Sequence, residues 1–371
     1  LKGPDGSTLF QGVRHGVLSA YELTPKSVSA MSDSEINELA KATGVSEPNI
    51  DALRSNDAKM KDFVSEVRAG ANKNRAKETL IATLSLNPGL MQDALSGKTP
   101  TVRMSSLSLM TPDMFRTGSG GEKQMLMDQC QAWQSLMDEQ PLKLDIRDPS
   151  TGEVKSVKVK PEILMFSTGV NAGAVNFYSF IAGGWGTSDP INRTNLTTMM
   201  GDLSVKDPNA FGGWVKDYLD APGHTEAEKT AVRELAGQIR DIMSDSKHHL
   251  SSGDPYKLGS RITLLSHMLG ATPAWNCKSG KDRTGELDAE VKFLAMQTKL
   301  TGHVPPFNVK LTGENQAMFR QFALNTGNIE MQKQNTGAGG YKLEGVSAIT
   351  ERLGGMDAKT IHRGLSKYVK S

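Results

Sequence analysis

The sequence predicts a helix-rich α/β fold organised around one strand–loop–helix unit, and three observations predict it. Residues 276–285 read Asn-Cys-Lys-Ser-Gly-Lys-Asp-Arg-Thr-Gly, with a short apolar segment before them and a helical stripe after them. Leu142–Ile146 and Val154–Lys160 each alternate apolar and polar residues around Asp148-Pro149-Ser150-Thr151-Gly152, the pattern of a β-hairpin. Thr225–Ser246 places Ala231, Leu235, Ile239 and Ile242 on one face of a helix.

The remaining elements follow in chain order. Residues 1–30 mix Gly, Ser and Pro and are expected to be irregular, with a short strand near Thr8–Gln11. Ser32 or Ser34 caps a helix that runs to about Thr43. Asn56 or Asp57 opens a longer helix with Phe63, Val64, Val67, Ala76 and Leu80 among its apolar members and a break near Gly70. Asn87-Pro88-Gly89 marks a turn, Val102–Leu109 a strand, and Glu122–Met137 a helix carrying Met125, Leu126, Trp133 and Leu136. After the hairpin, Ile163–Phe166 is a short strand leading into a small-residue bend at Thr168–Ala174, and a second Gly-rich bend follows at Gly183–Gly186. Asp254-Pro255 starts a helix with Leu258, Ile262, Leu265 and Leu269 on one face. Ala271–Asn276 is a short buried strand in spite of Pro273, and Glu286–Lys299 is a helix with its stripe at 287, 291, 294 and 295. Gly327–Gly340 reads as an ordered loop and Asp357–Val369 as a closing helix.

The segment between the last strand and its helix carries the chemistry. Cys277 and Arg283 stand six apart, Gly280 lies between them, and Thr284-Gly285 follows. That spacing suits a loop that wraps a phosphate: inward backbone N–H groups and the arginine fork bind its oxygens, and the following helix aims its positive end at the same dianion. The same field holds Cys277 as the thiolate, which is the nucleophile. Gly280 lets the backbone approach, and the Thr284 hydroxyl is placed to donate to the sulfur. Lys278, Ser279 and Lys281 complete the substrate-binding set; two lysines beside an arginine exceed what one monophosphate needs and suit a polyphosphate such as an inositol ring. Asp282 either ties the loop down or handles a proton. Asp254 and His248-His249 are further candidates for the acid that protonates the leaving group, but Asp254 reads first as a helix cap and the histidines as an exposed helix end. Asn171 with Gly169 and Gly173 reads as a tight bend, and Arg14-His15 and the basic residues around Lys333 read as solvated surface. A bare Cys and Arg at this spacing arise by chance in many chains; the full string is far more specific. One division near residues 100–112 separates a helical N-terminal region, 1–105, from a remainder, 106–371, that holds the cysteine-dependent phosphatase chemistry.

Composition sets the outer bounds. The chain has 371 residues, 37% hydrophobic and 23% charged, enough for a substantial core. The net charge of +2 draws neither nucleic acid nor membrane in bulk, so an anionic ligand must be drawn by a local patch. Two cysteines, Cys130 and Cys277, make no disulfide framework, and a nucleophilic Cys277 implies a reducing compartment. Cys130 reads as a small buried apolar residue. No apolar run approaches a membrane span and no cleavable signal is visible. The first residue is Leu1, so the chain is expected to be a fragment whose targeting segment lies elsewhere. The chemistry calls for no cofactor and no metal.

These residues carry a resemblance. The loop from Asn276 to Gly285 resembles that of the type III secreted inositol-phosphate and phosphoinositide phosphatases of enteric bacteria, the SopB, SigD and IpgD group. Its Cys-Lys-x-Gly-Lys-x-Arg core is similar to that of animal inositol polyphosphate 4-phosphatases. Gln11–Leu18, Gly212–Val215, Pro255–Leu258, Pro273–Asn276, Asn325–Asn328 and Gln332–Gly337 resemble the group too, so the likeness covers nearly the whole chain. One motif departs: the group's Phe-Asn-x-Gly-Val-Asn-Glu stands here as Phe166-Ser167-Thr168-Gly169-Val170-Asn171-Ala172, and specificity shifts if the replaced side chains contact substrate. The resemblance implies a cysteine-phosphatase-type core, removal of the 4-phosphate of phosphatidylinositol 4,5-bisphosphate through a phosphocysteine, and transfer to another inositol hydroxyl as a variant. It implies phosphoinositide headgroups at host membranes and soluble inositol polyphosphates as substrates, type III delivery to the host cytosol and its membrane surface, and a host small GTPase as partner of a region outside this chain. The competing readings are a protein tyrosine or dual-specificity phosphatase, which the doubled lysines disfavour, and a GTPase- or membrane-binding module whose loop only holds a headgroup.

Overall fold

The computed structural model describes residues 1–112, 121–170, 186–207, 209–245, 254–325, 327, 331 and 352. Its elements in chain order are β1 (Val13–His15), α1 (Pro25–Ser29), α2 (Asp33–Thr43), α3 (Ile50–Arg54), α4 (Asp57–Ser85), α5 (Pro88–Leu95), β2 (Thr101–Ser108), α6 (Glu122–Asp138), β3 (Leu142–Arg147), β4 (Val154–Ser167), α7 (Ser188–Met200), α8 (Gly213–Asp220), α9 (Glu226–Ser244), α10 (Lys257–Met268), β5 (Thr272–Asn276), α11 (Asp282–Thr301) and α12 (Gly313–Asn325). This is the helix-rich α/β fold that the sequence predicts. The helix starts are written locally: Ser32 and Thr225 each bond the backbone three residues on and receive the Glu side chain in return, closing capping boxes on α2 and α9. Asn56 caps α4 by accepting from the amides of Ala58 and Lys59.

Strand order across the sheet is β1-β5-β2-β4-β3. β5 runs parallel to both neighbours, with Ala274 opposite Val13 on one side and Ser106 on the other. All five of its residues are buried, as a parallel strand covered on both faces requires. Pro273 is tolerated there because β1 pairs only with residues 274–276 and asks nothing of position 273. β3 and β4 form the expected antiparallel hairpin, Leu142 opposite Val159, with alternate residues buried. Ile163–Phe166 is the end of β4 and not a separate strand; Pro161 lies past the last residue that β3 pairs, so its missing N–H breaks no bond on that side.

Contacts divide the chain into two compact units. One comprises Leu1–Gly16, Arg103–Phe115 and Leu164–Ser371; the other comprises Val17–Val102 and Arg116–Ile163. The chain passes between them more than once, where the sequence suggested one division near residue 105. The core of the first unit gathers Phe10, Leu107, Phe166, Leu235, Ile262, Trp275, Leu287 and Phe319. In the second, Val28, Ile36, Leu53, Phe63 and Val67 cluster between α4 and the short helices before it. Arg352 joins the first unit's interior through a forked pair with Glu290 at 2.6 Å on each oxygen, with side-chain exposures of 7% and 4%.

Several expectations change. α4 runs unbroken through Gly70, because the missing side chain makes room for a neighbour: a Cβ there would stand 2.2 Å from the Thr43 carbonyl oxygen. Asn87-Pro88-Gly89 opens α5, with Pro at the first position where its lack of N–H costs nothing. Thr8 makes only an isolated bridge to Lys2, and the strand forms at Val13–His15. α3, α7 and α12 have no strong sequence stripe; in α7 (SDPINRTNLTTMM) polar residues dominate and burial of Leu196, Met199 and Met200 overrides propensity. Residues 171–174, 183–185, 248–249, 328–330, 332–340 and 357–369, on which other expectations fall, lie outside the described residues.

Three substitutions test this packing by thermal unfolding. Gly70→Ala should destabilise by about 1–3 kcal/mol, whereas Gly237→Ala on α9, where a Cβ meets nothing within 4 Å, should gain about 0.5–1 kcal/mol. Arg352→Ala should cost about 3–5 kcal/mol by leaving Glu290 charged and unpaired, or push its carboxyl to neutrality; an unchanged melting temperature would remove Arg352 from the core.

Candidate active site

β5 delivers its last residue, Asn276, to a loop that ends where α11 begins at Asp282. Because β5 lies between β1 and β2, the ends of both neighbours meet this loop. The Leu109 amide donates to the Asn276 carbonyl at 2.7 Å, and the Leu109 carbonyl accepts from Arg283 Nη1 at 2.7 Å. On the other side Gly280 takes φ +65°, and a Cβ on it would stand 2.7 Å from the His15 carbonyl oxygen. Glycine is needed there for both the dihedral and the approach.

The sulfur is held by one hydroxyl. The Cys277 amide donates to Thr284 Oγ1 at 3.1 Å, and that hydroxyl donates to Cys277 Sγ at 3.1 Å. Its orientation is therefore set: one lone pair is spent on the amide and its proton goes to sulfur. Trp275 fixes the helix side, its indole Nε1 donating to the Thr284 carbonyl at 3.1 Å. Cys277 is 3% exposed and Thr284 fully buried, while Lys278 and Ser279 are exposed and Lys281, Asp282 and Arg283 half-buried. Thus the sulfur sits deep and the cations stand toward solvent. Lys281 occupies the cap position of α11 and makes no side-chain cap. Asp282 is the first helical residue, where a carboxylate complements the helix dipole. Cys130 contrasts with this setting: burial on α6 pushes its thiol up to about 11.

The structure brings the predicted loop residues together and relocates others. Asp254 does not cap α10, whose cap position is Tyr256 without a side-chain bond; it is buried and lies 3.7 Å from Arg261 Nη1. Arg14 and His15 are not solvated surface. Arg14 has a side-chain exposure of 7% and reaches to 4.0 Å from Asp288. His15 Nδ1 lies 2.6 Å from the Gly16 carbonyl, and desolvation lowers its imidazole to about 4, so it is neutral at neutral pH. In the departing motif, Ser167 is buried, and Asn192 of α7 clasps its backbone through both ends of the amide at 2.8 Å each. A Cβ on Gly169 would stand 2.5 Å from Thr111 Cγ2, so close packing explains that glycine. Asn171 and Gly173 lie outside the described residues.

α11 carries the largest surprise. In place of a one-sided stripe, the helix is buried nearly all round, including Glu286, Asp288 and Glu290. Desolvation first, then the charge of Glu290, pushes Glu286 up to about 8; Arg352 opposes this in part. Sequence reasoning missed Trp275, Glu286, Tyr256 and the Leu109 carbonyl. The carboxylates at 286 and 290, one helical turn apart beside the apolar stripe, were the only available signal; a backbone carbonyl leaves none. Among the described residues no three His, Cys, Asp or Glu side chains converge as metal ligands, and no helix is long and apolar enough to cross a membrane.

Residues 54–349 match the family model described as enterobacterial virulence protein IpgD. The chain is 33% identical over 374 residues to the inositol phosphate phosphatase IpgD of Shigella flexneri, covering 98% of this chain and 60% of that protein. It is 35% identical over 375 residues to the inositol phosphate phosphatase SopB of Salmonella bongori, covering 98% of this chain and 77% of that one. Among solved structures it resembles the Legionella phosphoinositide phosphatase SidF with a TM-score of 0.52 at 12% identity, over 92% of this chain and 64% of that one, a likeness of fold alone. With a family match over most of its length and relatives above 30% identity across nearly all of it, the chain belongs to the enterobacterial virulence protein IpgD family.

Proposed function

We propose that the chain is a cysteine-dependent phosphatase of inositol polyphosphates and phosphoinositides. The observation that carries this reading is the Thr284 hydroxyl, 3.1 Å from both the amide nitrogen and the sulfur of Cys277, at the floor of a loop whose rim holds Arg283 and two lysines. Arg283 and the loop amides, including those of Ser279 and Gly280, bind one phosphate. Cys277 Sγ attacks phosphorus in line; an S–P bond forms as the bond to the inositol oxygen breaks. Asp282, at the helix start beside the loop, supplies the proton that the leaving alkoxide takes up. Thr284 stabilises the sulfur as the attacking and later the leaving thiolate. Water then attacks the phosphocysteine and releases phosphate, or another inositol hydroxyl takes the phosphoryl group instead.

Lys278 and Lys281 hold neighbouring phosphates. The phosphate removed in this reading is the 4-phosphate of phosphatidylinositol 4,5-bisphosphate, a choice that rests on resemblance to the IpgD and SopB group. The reading includes type III delivery into a host cell, action at the cytosolic membrane face, and a host small GTPase as partner of the wider protein, each resting on the same resemblance.

Phosphate release from inositol polyphosphate, phosphoinositide and phosphotyrosine peptide, measured side by side, tests the reading. Cys277→Ser should abolish release and Arg283→Ala should lower it by about 10³-fold, with Thr284→Ala costing about 10²-fold. A wild-type chain that binds headgroups but releases nothing would make it a binding module, and faster turnover of phosphopeptide would make it a protein phosphatase. Lys278→Ala and Lys281→Ala should each weaken polyphosphate substrates by about tenfold and a simple aryl phosphate hardly at all; equal losses on both would end the polyphosphate assignment. Vanadate and thiol alkylation should inhibit, and chelators should not.

A further inference from the structure

We propose that the cavity between α11 and residues 305–312 is a second binding site, built to take one small neutral ring bearing several hydroxyls, a cyclitol or a monosaccharide. It encloses about 250 Å³. Drug-sized ligands fill roughly 300–1,000 Å³, so this space suits a single ring. Glu290, Phe293, Leu294 and Gln297 line it from one face of α11, and no residue of the 277–281 loop takes part. Two of its polar side chains are more than nine-tenths buried and keep acceptor atoms without a donor. Asp254 is 6% exposed, and its carboxylate accepts no hydrogen bond among the described residues; Arg261 Nη1 stands 3.7 Å away, beyond bonding distance. Gln297 is 8% exposed, and its Nε2 donates to Asn315 Oδ1 at 3.0 Å and to Met318 Sδ at 3.5 Å. Those two acceptors fix the amide and leave Gln297 Oε1 to accept from an occupant.

The cavity therefore asks its occupant for donors, and charge decides which kind. Lys257, Arg261 and Arg352 all lie within electrostatic reach of Asp254, and Lys310 stands exposed at the mouth. An ammonium or guanidinium ligand would add another cation to that set in a poorly screened interior. An anion fares no better, because the inner cations already hold partners. Arg352 forks onto Glu290, Arg261 donates to Gln238 Oε1 and to the carbonyls of Lys257 and Pro305, and Lys257 Nζ reaches Asn308 Oδ1 at 3.3 Å. An anion would thus meet the Asp254 carboxylate with few donors between them. Hydroxyl groups supply donors and no net charge. The two oxygens of one carboxylate accept from neighbouring hydroxyls of a ring, and these bonds relieve a buried acceptor that otherwise has none. Phe293, Leu294, Pro305 and Pro306 form an apolar wall. A space polar at its floor and apolar along its side matches a ring with hydroxyls on its edge and C–H bonds on its face.

Saturation-transfer NMR on the full chain, observing the ligand, tests this with myo-inositol, methyl β-glucoside, n-butylammonium and sulfate as probes. At least one of the two polyols should bind with a Kd on the order of 1 mM, as a ring of about a dozen heavy atoms at ordinary ligand efficiency gives. The tighter of the two separates a cyclitol from a sugar. Neither n-butylammonium nor sulfate should displace the bound polyol. Asp254→Asn and Gln297→Leu should each weaken it by about tenfold. Val309→Trp places an indole at the mouth from a position 50% exposed, where the fold tolerates it, and should block entry. The proposal is overturned by no transfer to either polyol at about 10 mM, by polyol affinity unchanged in Val309→Trp, or by displacement with n-butylammonium or sulfate. Should Asp254→Asn fold poorly, Gln297→Leu and Val309→Trp decide, and wild-type affinity in both overturns it. None of these readouts involves turnover, so the outcome is independent of the phosphatase reading.

Discussion

The Thr284 hydroxyl is the constraint on which the site depends. It lies one residue beyond Arg283 and seven beyond Cys277, and it joins the two ends of the loop by accepting from the Cys277 amide and donating to the sulfur. With that pair of bonds made, the intervening residues, 278–283, must arch between the two ends. Trp275 secures the helix end of the same joint from the strand side. The strand–loop–helix unit is therefore closed on itself, and its geometry follows from a three-residue set, Trp275, Cys277 and Thr284.

The parallel sheet explains why this unit needs its neighbours. β5 alone could present Cys277, but the loop is braced from the C-terminal ends of β1 and β2: the His15 carbonyl against Gly280, and the Leu109 carbonyl on Arg283. Both braces are backbone groups, so their geometry depends on sheet register more than on side-chain identity. The consequence is that the first sixteen residues, remote in sequence, are part of the same compact unit as the loop. Burial of α11 on nearly all sides is the other consequence, since a helix that follows an interior strand of the sheet has protein around it. It carries Glu286 and Glu290 into an interior where each must be neutralised, the first by a proton and the second by Arg352.

Much of this was legible before any coordinates. The loop string pointed to a strand–loop–helix unit, and β5 and α11 flank the loop where the string put them. Hairpin β3–β4 and helices α2, α4 and α9 were plain from alternation, periodicity and caps. What stayed hidden has physical causes. Gly70 looked like a helix break because sequence cannot show that Thr43 packs against it. Asp254 looked like a cap because its partner, Arg261, is found only when α10 is built. Arg14 and His15 looked solvated because polar residues in a Gly-flanked segment usually are, and only the pairing of β1 with β5 turns them inward. Helices α7 and α12 form where packing outweighs weak local preference, a contribution that no single window of residues contains.

The central claim is that one sulfur accepts the phosphoryl group during turnover. Acid quench of wild type with substrate carrying a labelled phosphate, followed by peptide mapping, tests it most directly. The account predicts label on Cys277 alone, absent from Cys277→Ser and increased where the hydrolysis step is slowed. Continued phosphate release by Cys277→Ser, or label on any other residue, would contradict it.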